Sequence, residues 1–144
     1  VRGSCSRKVR HVHRGDAQHG AKSADASLRS APECHMKIAD LPFGTTDWSK
    51  VERTEHKGEV GTAYWRTRNF GEVRVRTVEY TPGYLADHWC IKGHFLLCLE
   101  GELSTELKDG RVFVLRPGMS YQVADNAEPH RSSTQSGAKL FIVD

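Results

Sequence analysis

From Val51 onward, apolar and polar residues alternate in short runs that Gly, Pro and Asn/Asp clusters interrupt. A period of two is the signature of half-buried strands. The pattern predicts strands over 51–56, 60–70, 72–80, 94–100, 103–107, 111–115, 121–123 and 139–143. Ser49–Glu55 can instead be read as a helical turn or two, capped by Asp47. In 72–80, Val73 and Val75 alternate with Arg74 and Arg76, then the phase moves to Val78 and Tyr80, as a bulge would make it. Lys108-Asp109-Gly110 is an Asp-Gly hairpin signal. Strand 94–100 is apolar on both faces, so it reads as central or as covered by a partner. Many short strands without a long helical period predict an all-β sandwich or barrel.

Residues 1–35 break this pattern. Their only larger aliphatic residues are Val1, Val9, Val12 and Leu28. Such a segment buries too little surface to offset its ordering entropy. It has no apolar stretch of a secretory signal. It is read as a disordered basic tail, or as a mis-assigned start or cloning residues ahead of Met36, with one folded domain over 36–144. It holds seven Lys/Arg against three acids, a net +4, whereas the remainder has fourteen against fifteen, a net −1. The chain's overall +3 therefore belongs to the tail. The domain gives no reason to expect nucleic acid, and no apolar run is long enough for a membrane helix. His11, His13, His19 and Cys34 in the tail are read as solvated residues.

The densest chemistry lies in Gly83–His94, which holds His88, Cys90 and His94. If 88–90 is a strand, alternation puts His88 and Cys90 on one face and Trp89 on the other. If Ile91-Lys92-Gly93 closes a three-residue hairpin, Cys90 sits opposite His94 with Cβ atoms about 5 Å apart. The same register sets Cys98 opposite Ala86, about 13 Å along the strands from Cys90, too far for a disulfide. Cys98 is read as a small buried apolar residue. Free thiols suit a reducing, cytoplasmic setting.

The series Gly83, His88-x-Cys90, His94 and Gly101 resembles the first motif of the cupin superfamily, the small double-stranded β-helix barrels. Cys90 stands for its second His and His94 for its Glu. Pro117-Gly118 followed by Glu128-Pro129-His130 resembles the second motif. Asp87-His88-Trp89-Cys90 is similar to the stretch that names a bacterial cupin subgroup, the Asp-His-Cys-Trp proteins. The resemblance implies a cupin barrel, a homodimer, and a divalent metal on His88, Cys90, His94 and His130. Three imidazoles and a thiolate favour zinc first, then iron, nickel or copper, over magnesium or calcium. Tyr84, Tyr121 and Arg66 are candidate cavity-lining residues; no catalytic residue is assigned. The leading expectation is a metalloprotein acting on a small polar molecule by oxygenation, isomerisation or hydrolysis. The alternatives are a non-catalytic metal- or ligand-sensing barrel with a closed His3Cys site, and a dimer module with a vestigial site.

Overall fold

A computed structural model describes residues 41–144, so the expectations for the basic tail and for the domain boundary at Met36 lie outside the described residues. A single 3₁₀ turn, Trp48–Lys50, is capped by the Asp47 carboxylate, which accepts from the Ser49 amide at 3.1 Å. Nine strands follow: β1 Arg53–Lys57, β2 Thr62–Phe70, β3 Val73–Tyr80, β4 His94–Gly101, β5 Leu103–Leu107, β6 Val112–Leu115, β7 Ser120–Val123, β8 His130–Ser133 and β9 Ala138–Val143. They form an antiparallel six-stranded sheet, ordered β1-β2-β3-β9-β4-β7, and a three-stranded sheet, ordered β6-β5-β8. The fold is all-β and jelly-roll-like, as the alternation predicts. No helix among the described residues is long and apolar enough to cross a membrane.

Every inner face follows the period of two. Val78 on β3, Leu96 and Cys98 on β4, Leu103 on β5, and Ala138, Leu140 and Ile142 on β9 are buried in one cluster with Leu115. Trp65, Tyr80 and Tyr121 pack against its edge. The Asp-Gly hairpin forms as expected: Leu107 N–H donates to Arg111 C=O at 2.8 Å, and Gly110 takes φ +94°. Such a value is open to glycine without penalty.

Four expectations are corrected. First, 88–96 is not a hairpin. Cys90 bridges to His130, whereas His94 opens β4 and pairs with Val123. The reason is at Gly93, whose amide donates to Asp125 Oδ1 at 2.7 Å. A Cβ there would lie 2.6 Å from the Asp125 nitrogen. Asn126 N–H also donates to Ile91 C=O at 2.8 Å. Residues 91–93 are therefore pinned to the β7–β8 loop and carry the chain from one sheet to the other. Second, β3 has no bulge: its pairing with β2 and with β9 runs without a register shift. The phase is constant because Arg76, not Val75, is buried on the inner side with Val78. Third, β8 was absent from the pattern because it reads His-Arg-Ser-Ser, with polar residues on its inner face. Fourth, the 49–55 segment divides: a 3₁₀ turn over 48–50, then β1 from Arg53.

A guanidinium inside a sheet needs a counter-charge. Arg76 is 7% exposed, and its Nη2 donates to Asp144 Oδ2 at 2.7 Å. Arg74 grips the same carboxylate through Nε at 2.9 Å and through Nη2. Burial alone would push the Asp144 carboxyl up; the two guanidiniums outweigh it and hold the group below its ordinary 3.8. A depressed folded-state pKa gives stability that is complete above the ordinary value and is lost as pH falls through the folded one. Asp144→Asn is expected to cost about 3 kcal/mol at pH 7, because it leaves Arg76 buried without its full partner. That deficit relative to wild type should shrink as pH falls below about 4. Denaturant melts of both proteins at pH 7 and pH 3 check this, and an equal deficit at both contradicts it.

Candidate metal centre

Cys90 and His130 face each other across a hydrogen-bonded antiparallel pair. Cys90 N–H donates to His130 C=O at 2.8 Å, and the return bond is 3.0 Å. Directly opposed residues project to one face. His94 reaches the same point from the other sheet, at the first residue of β4. The two imidazoles meet edge to face, with centroids 4.9 Å apart. Cys90 Sγ and one ring nitrogen of each histidine all lie within 4.8 Å of one another. Three side chains thus converge from two sheets, not from one hairpin.

Hydrogen bonds beside the cluster orient both rings. His130 Nδ1–H donates to Glu128 C=O at 2.8 Å, so the Nε2 lone pair points away from that bond. His94 Nε2 and the Tyr121 hydroxyl are 2.8 Å apart. The remaining nitrogens, His130 Nε2 and His94 Nδ1, are buried without a well-formed hydrogen bond. An orphaned buried donor or acceptor is costly unless something else satisfies it. The Cys90 thiol is brought down to about 5, first by His130 and then by His94. In turn Cys90 raises the pKa of His130. A thiolate with two oriented, unpartnered imidazoles is a donor set that fits a borderline-to-soft divalent metal. The cluster can hold a metal; which metal it selects is not fixed by these three groups.

His88 is placed apart from the three. The segment before Cys90 bridges at Leu85↔Ser133 and again at Cys90↔His130. Four residues, 86–89, therefore oppose two, 131 and 132. Asp87 and His88 are the surplus, and they bulge out of the pairing. Alternation does not carry across such a bulge, and His88 is not among the residues whose ligand atoms lie within 4.8 Å of one another. His88 is exposed, with Nδ1 2.6 Å from Asp87 Oδ1, and it stands at the rim of the cavity that the cluster lines. Trp89 packs away from the cluster, under the Arg131 guanidinium at 5.0 Å.

The cavity measures about 90 Å³ between the sheets. Tyr84 and Tyr121 line it, as expected from the sequence. Arg66 does not: its Nη1 donates to Val51 C=O at 2.7 Å on the other face of β2, because the neighbouring Trp65 is the residue that turns inward. Sequence reasoning missed Trp65, Arg76, Tyr80 and Ser132 in the lining. The signal for Arg76 was present in the unbroken spacing from Arg76 to Val78 to Tyr80. Burial pushes up the pKa of Tyr80, Tyr84 and Tyr121, so these phenols stay protonated well past neutrality. The buried Cys98 thiol is raised for the same reason.

No protein-family model and no curated protein matches this chain. Solved structures do. A sugar phosphate isomerase from a cupin superfamily, from Silicibacter pomeroyi, superposes with a TM-score of 0.58 at 16% identity, covering 69% of this chain and 74% of that one. Ectoine synthase from P. lautus gives 0.56 at 19% identity, covering 70% and 76%. An RmlC-like cupin from Shewanella frigidimarina gives 0.55 at 20% identity, covering 72% and 87%. At these identities the likeness concerns the fold and not the reaction. The two-sheet architecture over residues 41–144 is a cupin fold.

Proposed function

We propose that this protein is a metal-binding cupin in which Cys90, His94 and His130 hold one divalent transition ion, zinc first. The observation that carries the reading is the convergence of the Cys90 sulfur with two oriented imidazoles, one ligand atom from each lying within 4.8 Å of the others. Iron, nickel and copper fit the same donors. We assign His88 as an exchangeable fourth ligand. Its place on a bulge at the cavity rim supports movement toward the cluster, and its exposure supports release. With His88 engaged, three imidazoles and one thiolate would hold the ion; without it, the ion would keep room for water or substrate. An open ion would supply Lewis acidity and lower the pKa of a bound water.

The residues around the cluster suit a small polar molecule. Tyr121, held against His94, offers a protonated hydroxyl to an oxygen or nitrogen of the occupant. Val78, Leu96 and Ile142 form an apolar part of the wall. Oxygenation, isomerisation and hydrolysis all begin by polarising such an occupant. Free Cys90 and Cys98 fit a cytoplasmic setting. A non-catalytic sensing role corresponds to the state in which His88 stays engaged.

Metal analysis of variants tests the ligand set. Wild type is expected to bind one equivalent per chain. Cys90→Ser and His130→Ala should lose affinity by more than about a hundredfold, because each removes a direct ligand. His88→Ala should lose about tenfold while keeping the metal at saturation. Full retention in Cys90→Ser and His130→Ala refutes the site.

We also propose a homodimer formed through β6. It is an edge strand on which Val112, Phe113 and Val114 are all exposed, and an apolar unpaired edge is a template for a second chain. Solution scattering should return twice the chain mass, and Val114→Lys should halve it. A monomeric wild type contradicts the proposal.

A further inference from the structure

The cavity has a second polar region whose chemistry differs from that of the metal ligands. Arg76 lines it at 7% exposure, and its Nε has no hydrogen-bond partner. Trp65 lines the same cavity, and its indole Nε1 is also buried and unpartnered. The Arg76 guanidinium lies 4.5 Å from the centre of the Trp65 ring. Two adjacent N–H donors, Arg76 Nε and Trp65 Nε1, are thus left without acceptors among the described residues. Each orphan donor costs free energy that an acceptor would recover.

Charge narrows the acceptor. Arg74 and Arg76 share Asp144, so that triad carries a net +1. Among the described residues, no Asp or Glu lines the cavity. The lining's acidic candidate is the Cys90 thiol, which His130 and His94 already face. An anion entering beside Arg76 meets its free Nε–H, an indole N–H and the net positive charge of the triad, with Arg76 Nη2 already held by Asp144. The stacked Tyr80–Tyr84 pair, 4.1 Å between centroids, and the apolar wall of Val78 and Ile142 suit carbon rather than further charge. One N–H from each of two adjacent side chains matches a planar two-oxygen acceptor. The volume of about 90 Å³ suits a short occupant.

We infer that Arg76 Nε and Trp65 Nε1 form a carboxylate subsite, so that the cavity takes a short-chain monocarboxylate with its acid group at β2–β3 and its other end toward Cys90, His94 and His130. This deepens the reading of that cavity and shares its walls, but it does not require the metal to be bound.

The test is calorimetric titration of propanoate and pyruvate into the full-length protein, with and without zinc, with benzoate as an oversized acid and inorganic phosphate as a different anion. Saturable 1:1 binding of the two short acids is expected in both states. Benzoate and phosphate should bind at least tenfold more weakly. Trp65→Phe keeps the ring and the Arg76–Asp144 pair but removes one donor; it should weaken propanoate about tenfold. Arg76→Lys keeps the charge but loses the Nε donor, and should weaken it by tenfold or more. Zinc stoichiometry should be unchanged in both variants. Short-acid binding that Trp65→Phe and Arg76→Lys leave intact overturns the subsite, as does its absence from wild type. Binding that survives in Cys90→Ser, where zinc is lost, supports the subsite; a protein that holds zinc but no acid overturns the subsite and leaves the metal centre standing.

Discussion

The site depends on a crossing. Residues 91–93 leave the three-stranded sheet at Cys90 and enter the six-stranded sheet at His94. Gly93 makes that possible by lying against the backbone of Ala124 and Asp125, where no Cβ fits. The mutual hydrogen bonds of Cys90 and His130 fix one side of the gap, and the pairing of His94 with Val123 fixes the other. The three side chains that could hold a metal are then positioned by backbone pairing. Sites built on paired strands hold their geometry more tightly than sites on free loops.

The interior carries an unusual amount of polarity for a small domain. Arg76, His94, His130, Thr105 and Thr134 are buried with the aliphatic cluster. This splits the space between the sheets into an apolar part around Leu96, Leu103 and Leu140, and a polar part around the cluster and Arg76. Buried polar groups that lack protein partners are a liability for stability and a resource for binding. Here Trp65, Arg76, His94 and His130 line one cavity. The carbonyl of Glu128 and the hydroxyl of Tyr121 satisfy the outward nitrogens of the two histidines and leave the inward ones free.

Most of the fold was legible because inner faces alternate strictly, and the Asp109-Gly110 turn announced itself. The chemistry of Cys90, His94 and His130 was legible from residue type and spacing, although the hairpin that seemed to unite them does not exist. Local strand rules could not foresee a two-residue bulge at Asp87-His88, because a bulge is set by the partner strand, and β8 was itself hidden by its polar sequence. Arg76 was hidden by the assumption that charge points outward. Only the distant Asp144, brought alongside by β9, makes its burial affordable. Residue type alone points to Arg66 as a cavity arginine, but the phase of β2 turns Trp65 inward and Arg66 away.

X-ray absorption spectroscopy at the zinc edge of the loaded full-length protein tests the central claim most directly. The account predicts one sulfur near 2.3 Å together with two or three imidazole nitrogens at about 2.0 Å. The sulfur should vanish in Cys90→Ser. A wild-type shell made only of nitrogen and oxygen would contradict the account.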